Sequence, residues 1–377
     1  MKILVLIHEF PPVGGGGGRA AQDICSGLVK EGDEITVLTA HYQGLPKEEY
    51  VDGIRVVRLP SLRREPFRAD LLAMGGFVLS GLWAGYRYIK NWQPDVIHVH
   101  FAVPAGALAR LLSKYTDAPY VMTVHLGDVP GGVPEKTGKW FRWVLPFTHP
   151  IWQDAKQVIA VSEFTRQLAL KYYEREIVVI PNGVDLDQLR PTAIKVNEPP
   201  RIVFAGRFMA QKNPLQIVRS LVELKDLPWN CVMLGDGLLR PAVQGMIEES
   251  GLQERFTLPG WVTPEEVLAW FDKSDILFMP SLSEGLPVVG VQALAKGLAF
   301  VVSNIGGFVD LVGEGQNGFL IDANKPSEYA TVLRQLLSHQ DTLQQFRQVS
   351  LQKAYQFDIK KVVEKYGRIF REVAHAG

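Results

Sequence analysis

The sequence predicts an α/β protein built from two doubly wound parallel-sheet domains in tandem. Three observations carry this. Short β-branched apolar runs alternate with amphipathic helical stretches from one end of the chain to the other. The runs are continuously apolar, as strands covered on both faces of a parallel sheet must be. The pattern also pauses once and then restarts. At 377 residues the chain is longer than one hydrophobic core usually organises.

In order, residues 2–7, 35–39, 54–59, 95–99, 120–124, 158–161 and 177–180 read as strands of the first domain. Helical patterns at 20–30, 105–114 and 163–173 fall between them. The pause is at 183–200, which has no hydrophobic period and ends in Glu198-Pro199-Pro200, so it reads as a linker after a first domain of 1–182. The second domain, 201–357, has strands at 202–205, 230–234, 256–258, 276–279, 299–303 and 318–321. From Pro326 onward the pattern is helical. The last stretch is amphipathic through Ile359, Val362, Val363, Tyr366, Ile369, Phe370 and Val373, and by itself reads as a cap on the second domain.

Composition narrows the function. Lys+Arg and Asp+Glu balance at 40 each, which argues against a nucleic-acid binder. Cys25 and Cys231 lie in different halves without metal-ligand spacing and read as buried thiols in a reducing compartment. Residues 1–7 run into His8-Glu9 with no secretory cleavage site, and the longest uncharged run, Leu71 to Tyr86, is shorter than the roughly 20 apolar residues a spanning helix needs. A cytoplasmic protein is expected, with peripheral attachment at the inner membrane face as a candidate.

Ligand chemistry concentrates where strands end. Residues 280–297 place Glu284 in a Gly/Pro-rich loop after a strand, with Pro287 suited to a first helical turn, Gln292 one turn on, and Gly297 as the stop. Such a lone acid suits a polar ligand. Gly14–Gly18 precede the first helix and would let backbone N–H groups approach an anion. Gly15-x-Gly17-x-x-Ala20 formally fits the dinucleotide fingerprint, but seven residues separate it from the strand and no acid ends the second strand to hold a ribose. Gly206-Arg207 and Lys212, after the second domain's first strand, offer a fork and a point charge for a diphosphate; two solvated cations are the alternative.

His125 ends a strand three residues before Asp128 and could donate to a sugar hydroxyl or orient an acceptor, unless it is a satisfied structural histidine. His98-x-His100 lacks a third ligand within reach and reads as cleft wall rather than a metal pair. Asp185-x-Asp187 follows Pro181-Asn-Gly-Val, where turn chemistry explains it better than a metal. Lys136, Lys139 and Trp140-Phe-Arg-Trp143, together with Arg55, Arg58, Arg63, Arg64 and Arg68, have the composition of an anionic-membrane surface. Core aromatics with a solvated basic face would have it too.

Together these pieces resemble the family 4 retaining glycosyltransferases, which have two Rossmann-like domains facing a cleft in the glycosyltransferase B fold. The likeness runs through Pro11-Pro12-x-x-Gly15-Gly16, Gly32 to Thr39, Asp95 to His98, Pro181 to Asp185, Gly206-Arg207 with Lys212, and Leu234 to Gly237. It continues through Pro280-Ser281, Glu284-Gly285, Gly306-Gly307 and Asn317-Gly318. Each is weak alone; the order and spacing are not.

The resemblance implies sugar transfer from a nucleoside-diphosphate donor to a glycan or lipid-linked acceptor, with retention, no cofactor and no required metal. It implies that Arg207 and Lys212 hold the diphosphate near the amides of Gly15 and Gly16, and that Glu284 contacts the donor sugar. The backbone of Gly285, Leu286 and Pro287 would lie near the phosphates, Gly235, Gly237 and Val262 would border the nucleoside, and Gly206 would belong to the donor-binding set. His125 would face the reacting sugar, with Asp128 on the acceptor side. It also implies that the C-terminal helix, 358–377, returns to the first domain.

One departure stands out. The family's second acid, seven residues after the first, is here Gln292, which keeps a hydrogen bond to the ribose but loses the charge assistance, on the order of 1–2 kcal/mol. The rival readings are a sugar-nucleotide-binding scaffold with impaired catalysis, hinted at by Gln292, and on the same fold a phosphorylase or an epimerase. The chain is short for a phosphorylase and shows no Schiff-base lysine motif.

Overall fold

The protein, a computed structural model, is described at residues 1–65, 69–133 and 141–375, with side chains at all of these but 141–143. It forms two compact units, Met1–Gly183 with the segment from Ile359 onward, and Val184–Asp358.

The first unit carries β1 (Lys2–Leu6), β2 (Glu34–Ala40), β3 (Glu48–Val51), β4 (Ile54–Leu59), β5 (Val96–His100), β6 (Tyr120–Val124), β7 (Gln157–Ala160) and β8 (Ile177–Val179). They form one sheet in the order β3-β4-β2-β1-β5-β6-β7-β8, parallel except for the β3–β4 hairpin. Side chains alternate across the pleat. Ile3, Val5, Val37, Val96 and Val121 bury one face against helices Gly16–Lys30 and Ile359–His375, while Leu4, Leu6, Leu38, Ile97 and Met122 bury the other against Leu71–Trp92 and Ala107–Thr116. Continuous apolar strands follow from this two-sided burial.

The C-terminal helix inserts Val362, Val363, Tyr366 and Phe370 into the first unit's core. Each buried side chain of this size contributes about 1.5–3 kcal/mol. It seats closely because Gly27, facing it, has no Cβ to strike Val363. The reading of this helix as a cap on the second domain is therefore wrong, and the arrangement the resemblance implied is the one formed. An amphipathic stripe states that a helix is covered but not by what.

The second unit is a fully parallel six-stranded sheet in the order β11-β10-β9-β12-β13-β14. Its strands are β9 (Arg201–Ala205), β10 (Asn230–Leu234), β11 (Phe256–Gly260), β12 (Ile276–Met279), β13 (Ala299–Ser303) and β14 (Gly318–Ile321). The stretch expected to be a linker joins this unit. Asp185 caps the short helix Leu186–Leu189, accepting from the Gln188 amide. Lys195 O accepts from Arg347 at 2.8 Å, and Asn197 donates twice to Asp275. Polar tethers of this kind leave no hydrophobic period for a sequence reading to find.

Four further expectations change. Helix Gly16–Lys30 begins inside the glycine run instead of after it. Strand β3 was missed, being four residues long, polar and at the sheet edge. The basic cluster is largely paired: Arg55 meets Glu48 at 2.8 Å, Arg58 meets Glu49, and buried Arg63 donates to His8 O. The β3–β4 hairpin brings those acids alongside. Arg64 is exposed; Arg68, Lys136, Lys139 and Trp140, and the side chains of Phe141, Arg142 and Trp143, lie outside the described residues. Finally, His98 and His100 are fully buried, so they are core and not cleft wall. No helix among the described residues is long and apolar enough to cross a membrane.

Candidate active site

In an open parallel sheet the ligand crevice lies beyond the carboxyl ends of the strands, where the strand order reverses. In the second unit that switch falls between β9, which leads to β10 on one side, and β12 on the other. The two loops leaving there are 206–213 and 280–287, the ones carrying Arg207, Lys212 and Glu284.

They are held to each other. Gln211 donates from Nε2 to Ser283 O at 2.9 Å, and the Leu282 amide donates to Gln211 O at 2.8 Å. Lys212 Nζ forms an ion pair with Glu284 Oε1, both side chains being largely buried. Arg207 is half-buried, and its guanidinium has no hydrogen-bond partner among the described residues. Ser281 Oγ, three residues before Glu284, is buried and has no hydrogen-bond partner among the described residues. Burying Glu284 and Lys212 together limits the cost that either charge would incur alone.

Bare backbone supports this arrangement. Gly306 has φ +51°, and a Cβ there would overlap the Glu284 carbonyl. Gly235, with φ +125°, lies against the Gly206 carbonyl in the same way. Only glycine allows these loops to approach so closely. Gly237 and Val262 follow β10 and β11 on the same edge of the sheet, and the Thr263 hydroxyl caps helix Pro264–Asp272 just beyond. Leu286 is buried, Pro287 precedes helix Val288–Ala295, and half-buried Gln292 lies on that helix's second turn.

In the first unit the order reverses between β1 and β5. Gly15 is the N-cap of helix Gly16–Lys30, whose first turn carries no acid of its own, and the Glu9 side chain lies against Gly14 just before it. A Cβ on Gly17 would meet the rings of Phe101 and His125. The helix start and the histidine are thus neighbours. His125 packs on Phe101 at 4.6 Å between centroids, and its Nε2 lies 3.5 Å from His100 Nδ1. Behind it, His98 Nε2 bonds Thr123 Oγ1 at 2.9 Å, and Thr123 contacts the Tyr366 hydroxyl at 3.1 Å. Burial lowers the His125 pKa to about 4, assisted by His8 and opposed by Glu9, so the ring is neutral at neutral pH. Asp128 is buried; its two oxygens accept from the Ala102 and His125 amides, each at 2.8 Å.

Sequence reasoning passed over Gln211, whose only signal was its place between Arg207 and the helix. It also passed over Phe101, a bulky residue at φ +72°, a conformation that side chains rarely adopt.

The chain matches two family descriptions end to end: Glycosyltransferase Family 4 over residues 14–188 and Glycosyl transferases group 1 over residues 187–352. It belongs to this glycosyltransferase family. An uncharacterized glycosyltransferase of Methanocaldococcus jannaschii is 24% identical over 99% of both chains. Among solved structures, a sucrose-phosphate synthase from Thermosynechococcus elongatus superposes at TM-score 0.88 with 18% identity, covering 100% of each chain. HepE of Anabaena in complex with UDP-glucose superposes at 0.78 with 18% identity, over 99% of this chain and 100% of that one. The protein therefore has the glycosyltransferase B fold, with its C-terminal helix in the first unit, and is a glycosyltransferase.

Proposed function

We propose that this glycosyltransferase moves a sugar from a nucleoside-diphosphate donor, with retention at the anomeric carbon and without a required metal. The observation that carries the reading is the Lys212–Glu284 pair at the second unit's switch point, with Arg207 on the same loop as Lys212 and without a side-chain partner among the described residues. In this pair each charge neutralises the other. A donor diphosphate would draw Lys212 and Arg207, and the released Glu284 carboxylate would then accept from donor-sugar hydroxyls. As the bond to the diphosphate breaks, negative charge collects on the leaving group, and each fixed donor aimed at it contributes about 3 kcal/mol. Two side-chain cations in that position do the work a divalent ion would otherwise do. His125, neutral and held against Phe101, would act as an uncharged hydrogen-bonding group toward the sugar hydroxyls.

UDP-sugars are the first donors to try, since HepE of Anabaena was solved with UDP-glucose. For the acceptor, a lipid-linked glycan is supported by helix Leu71–Trp92. Leu72, Leu79, Trp83 and Tyr86 stand exposed at spacings of seven, four and three residues, on one side of the helix. Arg87 and Lys90 lie over the Trp83 and Tyr86 rings. Aromatics next to cations on one helix face suit a peripheral site at an anionic membrane. Binding to phosphatidylglycerol vesicles that is lost in Leu79→Glu/Trp83→Glu would support this; equal binding by both proteins would remove it.

The central test is a thermal-shift screen of UDP-, GDP- and ADP-sugars, followed by assay of nucleoside-diphosphate release. Glu284→Ala should abolish release while the protein stays folded. Turnover should persist in EDTA, and NMR of the product should show the donor's anomeric configuration. A protein that binds nucleotide sugar and never releases diphosphate would be the scaffold instead.

A further inference from the structure

Asp128 occupies a place the reaction above does not explain. It is a buried carboxylate in the turn Leu126–Asp128, directly after β6. Oδ2 accepts from the His125 amide and Oδ1 from the Ala102 amide, each at 2.8 Å. The Val103 amide also bonds it. Ala102 and Val103 open the irregular turn Ala102–Gly106 that follows β5. One side chain therefore ties together the two strand ends on which Phe101 and His125 are mounted. Phe101, immediately before that turn, has φ +72°. It is on Phe101 that the His125 ring rests.

We propose that Asp128 is a positioning residue: its ionised carboxylate clamps the ends of β5 and β6 and thereby fixes the His125 ring, without touching substrate. The role rests on the reading of His125 as a group that faces the reacting sugar. Chemistry limits what can replace it. Both oxygens must accept, because each faces an N–H. Asparagine offers one acceptor and turns an NH2 donor toward the other amide. A protonated carboxyl has the same defect on one oxygen. Among the described residues, the titratable groups near the carboxyl are His125, whose amide it binds, and Tyr173, whose hydroxyl bonds Thr148 at 2.8 Å. Burial raises the Asp128 pKa to about 7, against the three amide bonds that lower it, so the clamp titrates near neutrality.

The experiment compares wild type with Asp128→Asn by amide hydrogen exchange, UDP binding and steady-state kinetics. In wild type, protection of the Ala102, Val103 and His125 amides should fall, beyond the intrinsic pH effect, as the solution is acidified through neutrality. In Asp128→Asn it should be low throughout. The variant should lose about 100-fold in kcat, the effect of a shift near 1 Å at a catalytic group, while UDP affinity stays within about 2-fold. The wild-type rise of kcat through about pH 7 should be absent from the variant. Unchanged protection of the three amides would overturn the proposal without any variant kinetics. So would normal turnover in Asp128→Asn, or UDP affinity falling in step with kcat. If wild type turns over no nucleotide sugar, the proposed reaction fails, and the exchange result still decides the clamp.

Discussion

The two units build their candidate sites from different materials. In the second, close backbone approach does the positioning: glycines 235 and 306 lie against the carbonyls of Gly206 and Glu284, and one Lys–Glu pair supplies the charge. In the first, buried side chains do it: the imidazoles of His98, His100 and His125, with Thr123, Tyr366 and the Asp128 carboxylate. Backbone packing is indifferent to pH, whereas a column of buried titratable groups is not. The second unit should fail under added volume and the first under acid.

The largest effect is expected from Gly306→Ala. The new Cβ cannot coexist with the Glu284 carbonyl, and a displacement of about 1 Å at Glu284 should cost on the order of 100-fold in kcat/KM. Activity close to wild type would show that the loops can part without consequence, and the contrast would weaken.

Next is Arg347→Met in the second unit. Arg347 and Asp275 form a buried ion pair, and Asp275 also accepts from the Arg201 amide and from Asn197. Leaving that carboxylate without its cation should destabilise the unit by about 3–5 kcal/mol in urea titration. A loss below about 1 kcal/mol would show that the amide donors alone suffice.

Acid provides the complementary test. Burial lowers the pKa of His98 to about 3 and that of His125 to about 4, and lowers His100 as well. The unfolded chain takes up these protons near pH 6.5 and the folded one does not, so stability falls as pH drops below 6.5. For His98 alone this is about 2 kcal/mol by pH 5. Asp128, shifted upward, has the opposite sign: it loses stability as pH rises from about 4 to about 7, and three histidines outweigh it. Exchange mass spectrometry at pH 5 should show β5 and β6 opening before β9 and β10. Simultaneous opening would contradict it.

The smallest effect is expected from Gln292→Glu. Restoring a charged acceptor should tighten nucleotide-sugar binding about 5-fold by calorimetry. Unchanged affinity would show that Gln292 does not meet the donor.

Much of this was legible in advance. The apolar runs gave twelve of the fourteen strands among the described residues to within one residue, because two-sided burial leaves its mark on every strand position; β3 was missed, and β11 runs two residues past its expected end. Arg207, Lys212 and Glu284 stood out because strand ends followed by Gly and Pro are where ligands are met. The paired state of Arg55, Arg58 and Arg63, the burial of His98 and His100, and the membership of 184–200 in the second unit were not legible. Each depends on what a distant segment places opposite.

By itself, then, the sequence determined the fold class, the order of its elements and the chemistry at the strand ends, since these follow from local periodicity and from residue types at turns. Tertiary structure alone decided the strand order that makes β9/β12 and β1/β5 the switch points, the face on which Ile359–His375 is buried, and the conversion of Asp128 from a loop acid into a clamp. Those are contacts between residues far apart in the chain, and no local period encodes the identity of a partner.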